Sequence, residues 1–196
     1  MKILRKIFFV IVFSSVILPS YAKNPSEFIS EITETASEVL KENISIDEKA
    51  EKLIIIANES VDIDGIGLYS LGKHRKTINS EQLKNYKKLF REYFLKSFSS
   101  RLSQYSDPKI NVVSQNIINE KYTIVSSVLV ETAERPEIKI DWRVYTKDPK
   151  KPLIRDLIIE GLSLARTQKE EFNSVIQGAD GDVSALFKNL EEFNSK

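Results

Sequence analysis

The sequence predicts an α+β domain: N-terminal helices and a long central helix packed on a four-stranded antiparallel sheet, followed by C-terminal helices. Three observations carry this. Apolar residues recur at steps of three and four up to about residue 105, alternate with polar residues in runs between about 109 and 160, and return to the helical step after Gly161. Helices, then a block of strands, then helices is the order of an α+β fold with helices laid on one sheet face.

The first 22 residues stand apart. A positive start, "MKILRK", precedes twelve apolar residues, "IFFVIVFSSVIL", and Ser20-Tyr21-Ala22 places small residues where a signal peptidase cuts. Twelve residues at about 1.5 Å each span about 18 Å, short of the roughly 30 Å hydrocarbon core of a bilayer. We therefore expect a signal peptide over 1–22, cleaved after Ala22, and one domain over 23–196. Cleavage removes Lys2, Arg5 and Lys6, which takes the formal charge from +1 to −2. No excess of Lys and Arg remains to form a nucleic-acid footprint. The chain has no cysteine, so an exported form is held by an ordinary core, which about 174 residues can supply. A bacterial periplasm fits best.

The elements come in order along the chain. Phe28, Ile32, Thr35, Ala36 and Val39 form one helical stripe. Ser45 and Glu48 have capping-box spacing and open a second helix, with Ile46, Ala50, Leu53, Ile54 and Ala57 as its stripe. A glycine-interrupted piece, "VDIDGIGLYSLGKHRK", leads out of it. Asn79 and Ser80 offer a cap for a long helix over about 80–105. Four β-rich runs come next, "KINVVSQNIIN", "KYTIVSSVLVET", "EIKIDWRVYTK" and "PLIRDLIIEG", joined by short turn material. In the third, Ile138, Ile140, Trp142 and Val144 alternate with Lys139, Asp141, Arg143 and Tyr145, one face for the core and one for water. After Glu160-Gly161, where glycine allows a tight turn that a Cβ would crowd, the helical step resumes, and Ser163 is placed to cap the helix beyond it. Val183, Leu186, Phe187, Leu190 and Phe193 mark the last helix, with Asp182 as its cap.

The search for catalytic chemistry comes back nearly empty. The one histidine, His74, sits among Lys73, Arg75 and Lys76 and reads as a solvated loop residue. A single histidine without cysteine excludes an HExxH site, a zinc-thiolate site and a thiolate nucleophile. No phosphate-binding glycine loop or GxSxG elbow is present. The "DGD" at 180–182 lacks the remaining ligands of a calcium loop. Asp156 and Glu160 read as turn-stabilising groups, although a small hydrolase or isomerase using one of them as base is a third possibility. We expect no enzyme and no cofactor.

The positive signal is aromatic. Tyr86, Phe90, Phe94, Phe98 and Leu102 recur every four residues on the long helix. Each ring buries roughly 150–250 Å². Such a row is either the core face of the helix or one wall of an apolar cavity between helices and sheet, and periodicity alone does not separate the two. The candidate walls are Phe90, Phe94, Phe98 and Leu102 on the helix, with Ile138, Ile140, Trp142 and Val144 on the sheet. No charges placed at a mouth are evident, so strong head-group selectivity is not expected.

Two segments carry a family resemblance. "VDIDGIGLYSLGKHRKTINSEQLKNYKKLFREYFLKSFSSRLSQY", residues 61–105, resembles the Asp, Leu-Gly and aromatic-helix segment of the MlaC-type periplasmic phospholipid-binding proteins, the toluene-tolerance auxiliary family. Asp156-Leu-Ile-Ile-Glu160-Gly161-Leu-Ser163-Leu164 is similar to that family's EGxSL strand-to-helix junction. The family's usual Trp-Arg after Leu-Gly is replaced here by residues around His74-Arg75. The resemblance implies a phospholipid shuttle that maintains outer-membrane lipid asymmetry. Its ligand would be a phospholipid held between sheet and helices, and its partners an inner-membrane MCE-domain ABC transporter complex and an outer-membrane lipoprotein–porin complex. We expect a monomer. The competing reading is an envelope structural or interaction module without lipid, in which the aromatic row is simply core.

Overall fold

In the computed structural model of the chain, residues 23–133 and 135–196 are described, and five of the six α-helices among them open on a side-chain cap. Asn24 caps α1 (Pro25–Lys41). Ser45 and Glu48 complete the expected capping box of α2 (Ile46–Ser60). Asp62 accepts the Gly65 N–H at 2.9 Å and opens α3 (Ile63–Ser70), which continues into a short 3-10 turn, Gly72–Lys76. Asn79 and Gln82 exchange two 2.9 Å bonds at the start of α4 (Ser80–Leu102). Each cap satisfies an N–H that the helix leaves unpaired, for about 1 kcal/mol. The expected signal peptide, residues 1–22, lies outside the described residues. No helix among the described residues is long and apolar enough to cross a membrane.

The strands are β1 (Ile110–Asn119), β2 (Tyr122–Leu129), β3 (Ile138–Tyr145) and β4 (Leu153–Ile159), followed by a two-residue β5 (Leu162–Ser163). They pair in chain order as one antiparallel meander. The expectation of four strands falls short by β5. Glu160 and Gly161, at φ 48° and 82°, form a two-residue turn with both residues left-handed, which returns the chain onto β4 so that Ile159 faces Leu162. Two residues are too few to show a sequence period. α5 (Leu164–Gly178) and α6 (Ser184–Asn194) complete the chain.

One sheet face is apolar. Val125, Trp142 and Leu157 are aligned across β2, β3 and β4. The buried Trp142 donates its indole N–H to Ser127 Oγ at 2.8 Å, and that hydroxyl donates to the Ile140 carbonyl at 3.1 Å. This polar relay lets a large ring stay buried without an orphaned donor. α1 lies over β1 and β2, while α5, α3 and α2 meet β4. Arg155 fixes α3 to the sheet: its Nε donates to Asp62 Oδ2 at 2.6 Å, and its guanidinium lies 3.6 Å from the Tyr145 ring centre.

The long helix is a second layer. Its principal neighbours are α2, α6 and α3, not the strands against which the sequence had set it. Gly67 of α3 explains the close approach: a Cβ there would lie 2.7 Å from Phe90 Cδ1, and Tyr86 donates to the Gly67 carbonyl at 2.8 Å. Smaller departures have local causes. Ile46, placed in the apolar stripe of α2 by its spacing, is 62% exposed at the first residue of the helix. The glycine-interrupted piece is helical over α3, since neither Gly65 nor Gly67 requires a left-handed backbone. His74 is buried at 7% exposure, with Nε2 3.1 Å from Asn173 Oδ1, so the solvated-loop reading is corrected. Its three cationic neighbours point outward and hid that inward position.

Candidate functional site: an apolar seam with a cationic rim

The apolar interior falls into three clusters. One joins α3, α4, α5 and α6 around Tyr86, Phe90 and Phe172. A second joins α1 to the sheet through Phe28, Ile29, Val125, Trp142 and Val144. The third joins α1 and α2 through Val39, Leu40 and Leu53.

The eight candidate wall residues divide among them. Ile140, Trp142 and Val144 are buried in the sheet cluster, with Ile138 half-buried at its margin. Phe90, 2% exposed, sits inside the helical cluster within about 6 Å of Tyr86, Tyr93, Phe94 and Phe172. Phe94 lies half-buried at that cluster's margin. Phe98 and Leu102 pack against the α1–α2 cluster, also half-buried. The Phe94 and Phe98 rings stack at 5.9 Å and 9°. The strand row thus stays together in the sheet cluster, the helix row is divided between the helical and the α1–α2 clusters with the Phe94–Phe98 stack as its link, and the two rows do not meet inside one cluster. Phe90, Ile140, Trp142 and Val144 are packed as core. Phe94, Phe98, Leu102 and Ile138 are the residues at the edges.

The margins matter because a boundary between packed clusters is where an interior can open at least cost. Close-packed groups lose many contacts when they separate, and half-buried ones lose few. Where the sheet cluster meets the α1–α2 cluster at the surface, a groove of about 280 Å³ lies between α1, α2 and the β3–β4 turn, and none of the eight candidate wall residues lines it. Phe28 and Ile32 of α1, which pack with the sheet cluster, and Ile56 of α2, which packs with the α1–α2 cluster, make its floor, with Pro152 also lining it. Lys23, Lys150 and Lys151 stand on its rim, with Glu59 as the one acid. The sequence reading missed this rim. Lys150 and Lys151 lie in "DPKKP", which reads as turn material, and Ile56 lies off the stripe assigned to its helix. The available signal was two adjacent lysines held between prolines at the end of an apolar strand pair.

A larger crevice, about 510 Å³, lies between α1 and the segment entering β1. Its lining is chiefly hydroxyls and charges, including Ser30, Thr33, Glu34 and the Lys41–Asp107 pair at 3.1 Å. It offers little to an apolar ligand. Nor do the junction carboxylates point to chemistry. Asp156, 4% exposed, accepts from the Ser163 hydroxyl at 2.6 Å and the Ala165 N–H at 3.0 Å. Glu160 accepts the Lys139 N–H at 2.5 Å. Both are occupied in holding the turn, as expected. Asp182, expected as the cap of α6, instead lies one residue ahead of it: it accepts the Ser184 N–H at 2.9 Å, while Val183 holds the cap position without a side-chain bond. No group of three or more His, Cys, Asp or Glu able to hold a metal occurs among the described residues.

Comparison with known proteins adds three findings. A family model described as MlaC protein matches residues 29–192. A solved structure of a phospholipid-binding protein from Ralstonia solanacearum, in complex with a phospholipid, is similar at a TM-score of 0.73 and 17% identity, covering 88% of this chain and 98% of that one. At that identity the likeness speaks for the fold. No curated protein matches the chain.

Proposed function

The chain belongs to the MlaC family, and from that premise we propose that it binds a glycerophospholipid, with acyl chains along the seam between sheet and helices and the head group at the groove. The observation that carries this is the division of the interior into clusters that meet at half-buried apolar side chains, Ile32, Ile56, Phe94 and Phe98 among them. The Ralstonia solanacearum protein of the same fold, solved with a phospholipid, supports the ligand class.

The physics favours a carrier that walls off an apolar volume. Each buried CH₂ is worth about 0.8 kcal/mol, so two acyl chains in water are strongly driven into such a volume. The groove, at about 280 Å³, falls just below the range of ligand clefts, roughly 300–1,000 Å³. Loading therefore requires the groove to widen where the sheet cluster meets the α1–α2 cluster, between Ile32 and Ile56. The proposed role is that of a non-enzymatic periplasmic shuttle, exported by a leader cleaved after Ala22. It carries phospholipid as a monomer between an outer-membrane lipoprotein–porin complex and an inner-membrane MCE-domain ABC transporter complex.

The test is direct. The full chain is expressed with its leader, recovered from the periplasmic fraction and extracted with organic solvent. Mass spectrometry should find phospholipid near one molecule per protein and a polypeptide beginning at Lys23. Correctly processed protein that carries no lipid, and that displaces no fluorescent fatty acid from competition, would leave the module reading standing instead.

A further inference from the structure

We infer that the groove selects for negatively charged head groups, with Lys150 and Lys151 holding the phosphate of an anionic glycerophospholipid such as phosphatidylglycerol. This rests on the lipid-binding reading and goes beyond it by assigning the head-group class.

The rim has three cations against one acid. Lys23 is partly committed: it pairs with Glu31, and its ammonium lies 5.5 Å from the Phe28 ring centre. Lys150 and Lys151 make no ion pair among the described residues. The nearest acid in sequence, Asp148, is turned to the backbone, accepting the Lys150 N–H at 3.0 Å, and both lysines are exposed. The backbone nitrogen of Lys23 donates to the Pro149 carbonyl at 2.8 Å. Cleavage after Ala22 makes that nitrogen an α-ammonium, a further positive charge on the same rim.

Cations above an apolar floor match an amphiphilic anion. The Phe28, Ile32 and Ile56 side chains contact the glycerol end of the acyl chains, while the lysines meet the phosphate. A zwitterionic head group brings its own ammonium to this rim and loses part of the attraction. A head group with net charge −1 does not. The rim lysines are exposed, so solvent screens them, and the preference is roughly three- to tenfold. The overall charge of the mature chain, −2 if cleaved as expected, does not by itself draw an anionic ligand, so the selectivity is local to the groove.

The experiment incubates the purified full chain with vesicles of equimolar phosphatidylglycerol and phosphatidylethanolamine of identical chains, repurifies it, and measures the two lipids in the extract. Phosphatidylglycerol should be enriched at least threefold over the vesicle ratio, and less so in 0.5 M salt. The Lys150→Gln/Lys151→Gln variant should return to the vesicle ratio, whereas a charge-matched Lys73→Gln/Lys76→Gln variant should keep the enrichment. Free glycerol 3-phosphate should not compete. Lipid loaded at the vesicle ratio, or enrichment unchanged by the groove substitutions or lost equally in both variants, overturns the head-group assignment while leaving lipid binding intact. Protein that takes up neither lipid overturns both.

Discussion

Asp156 on β4 and Ser163 at the cap of α5 are joined at 2.6 Å, and the same serine oxygen accepts the Arg166 N–H at 3.1 Å while the Asp156 carboxylate also takes the Ala165 N–H. Strand end, turn and helix start thus share one buried carboxylate. Asp156→Ala leaves the Ala165 N–H and the Ser163 hydroxyl without their acceptor in a site 4% exposed. We expect a loss of about 2–4 kcal/mol, since removing one partner strands the other. Urea unfolding checks it. A cost below about 0.5 kcal/mol would mean that the junction is anchored by packing alone.

The Glu160-Gly161 turn separates two reasons for a glycine. The sequence suggested that a Cβ would be crowded at Gly161, yet nothing lies within 4 Å of one there. What requires glycine is the backbone, at φ 82°. Gly161→Ala should cost about 1–2 kcal/mol through left-handed strain. Gly178→Ala, at the end of α5 with equally open space and no left-handed φ, should gain about 0.5–1 kcal/mol by restricting the unfolded chain. Opposite shifts in unfolding midpoint are the expected result, and equal shifts would remove the backbone explanation.

Much of the fold was legible because local chemistry and period agreed. The Ser45–Glu48 box, the Asn79 cap, the alternation from Ile138 to Val144 and the Gly161–Ser163 junction all formed where their residues indicated. The parts that were not legible depend on contacts distant in sequence. That α4 sits on α3 comes from the fit of Phe90 over Gly67, 23 residues away, and the inward turn of His74 comes from Asn173, 99 residues away. The candidate site was half legible for the same reason. Periodicity found both apolar rows, but which members are core and which lie at a margin depends on how three clusters meet. The lysine rim depends on a turn brought against α1 and α2 only in the folded chain.

Tyr86 makes an alkaline prediction. Its hydroxyl is buried against the Gly67 carbonyl, and burial raises its pKa well above the usual tyrosine value of 10.0. Below that value the phenol is protonated in both states and contributes no pH dependence. Above it the unfolded chain gives up the proton and the folded chain keeps it, so stability falls as pH rises. Tyr86→Phe should lower stability at pH 8 by about 1–2 kcal/mol through the lost hydrogen bond. It should also flatten the decline between pH 9.5 and 11.5. Urea midpoints across that range decide; an unchanged slope in the variant would show that Tyr86 is not the group titrating.

The aromatic row of α4 offers the sharpest division between core and ligand surface. Phe90 is 2% exposed and ringed by four aromatic side chains, so Phe90→Ala removes a large filled volume and should cost about 3–5 kcal/mol whether or not a ligand binds. Phe98, two turns along, is half-buried and keeps one stacked partner, Phe94. Its truncation leaves water-accessible space instead of a sealed cavity, so Phe98→Asn should cost no more than about 2 kcal/mol. If the seam holds acyl chains, the same change puts an amide among them, and copurifying lipid should fall severalfold while the protein stays folded by circular dichroism. Measuring both variants for unfolding midpoint and lipid content separates the roles. Equal destabilisation by Phe90→Ala and Phe98→Asn, with lipid content unchanged in the latter, would make the row core from end to end and move the ligand elsewhere.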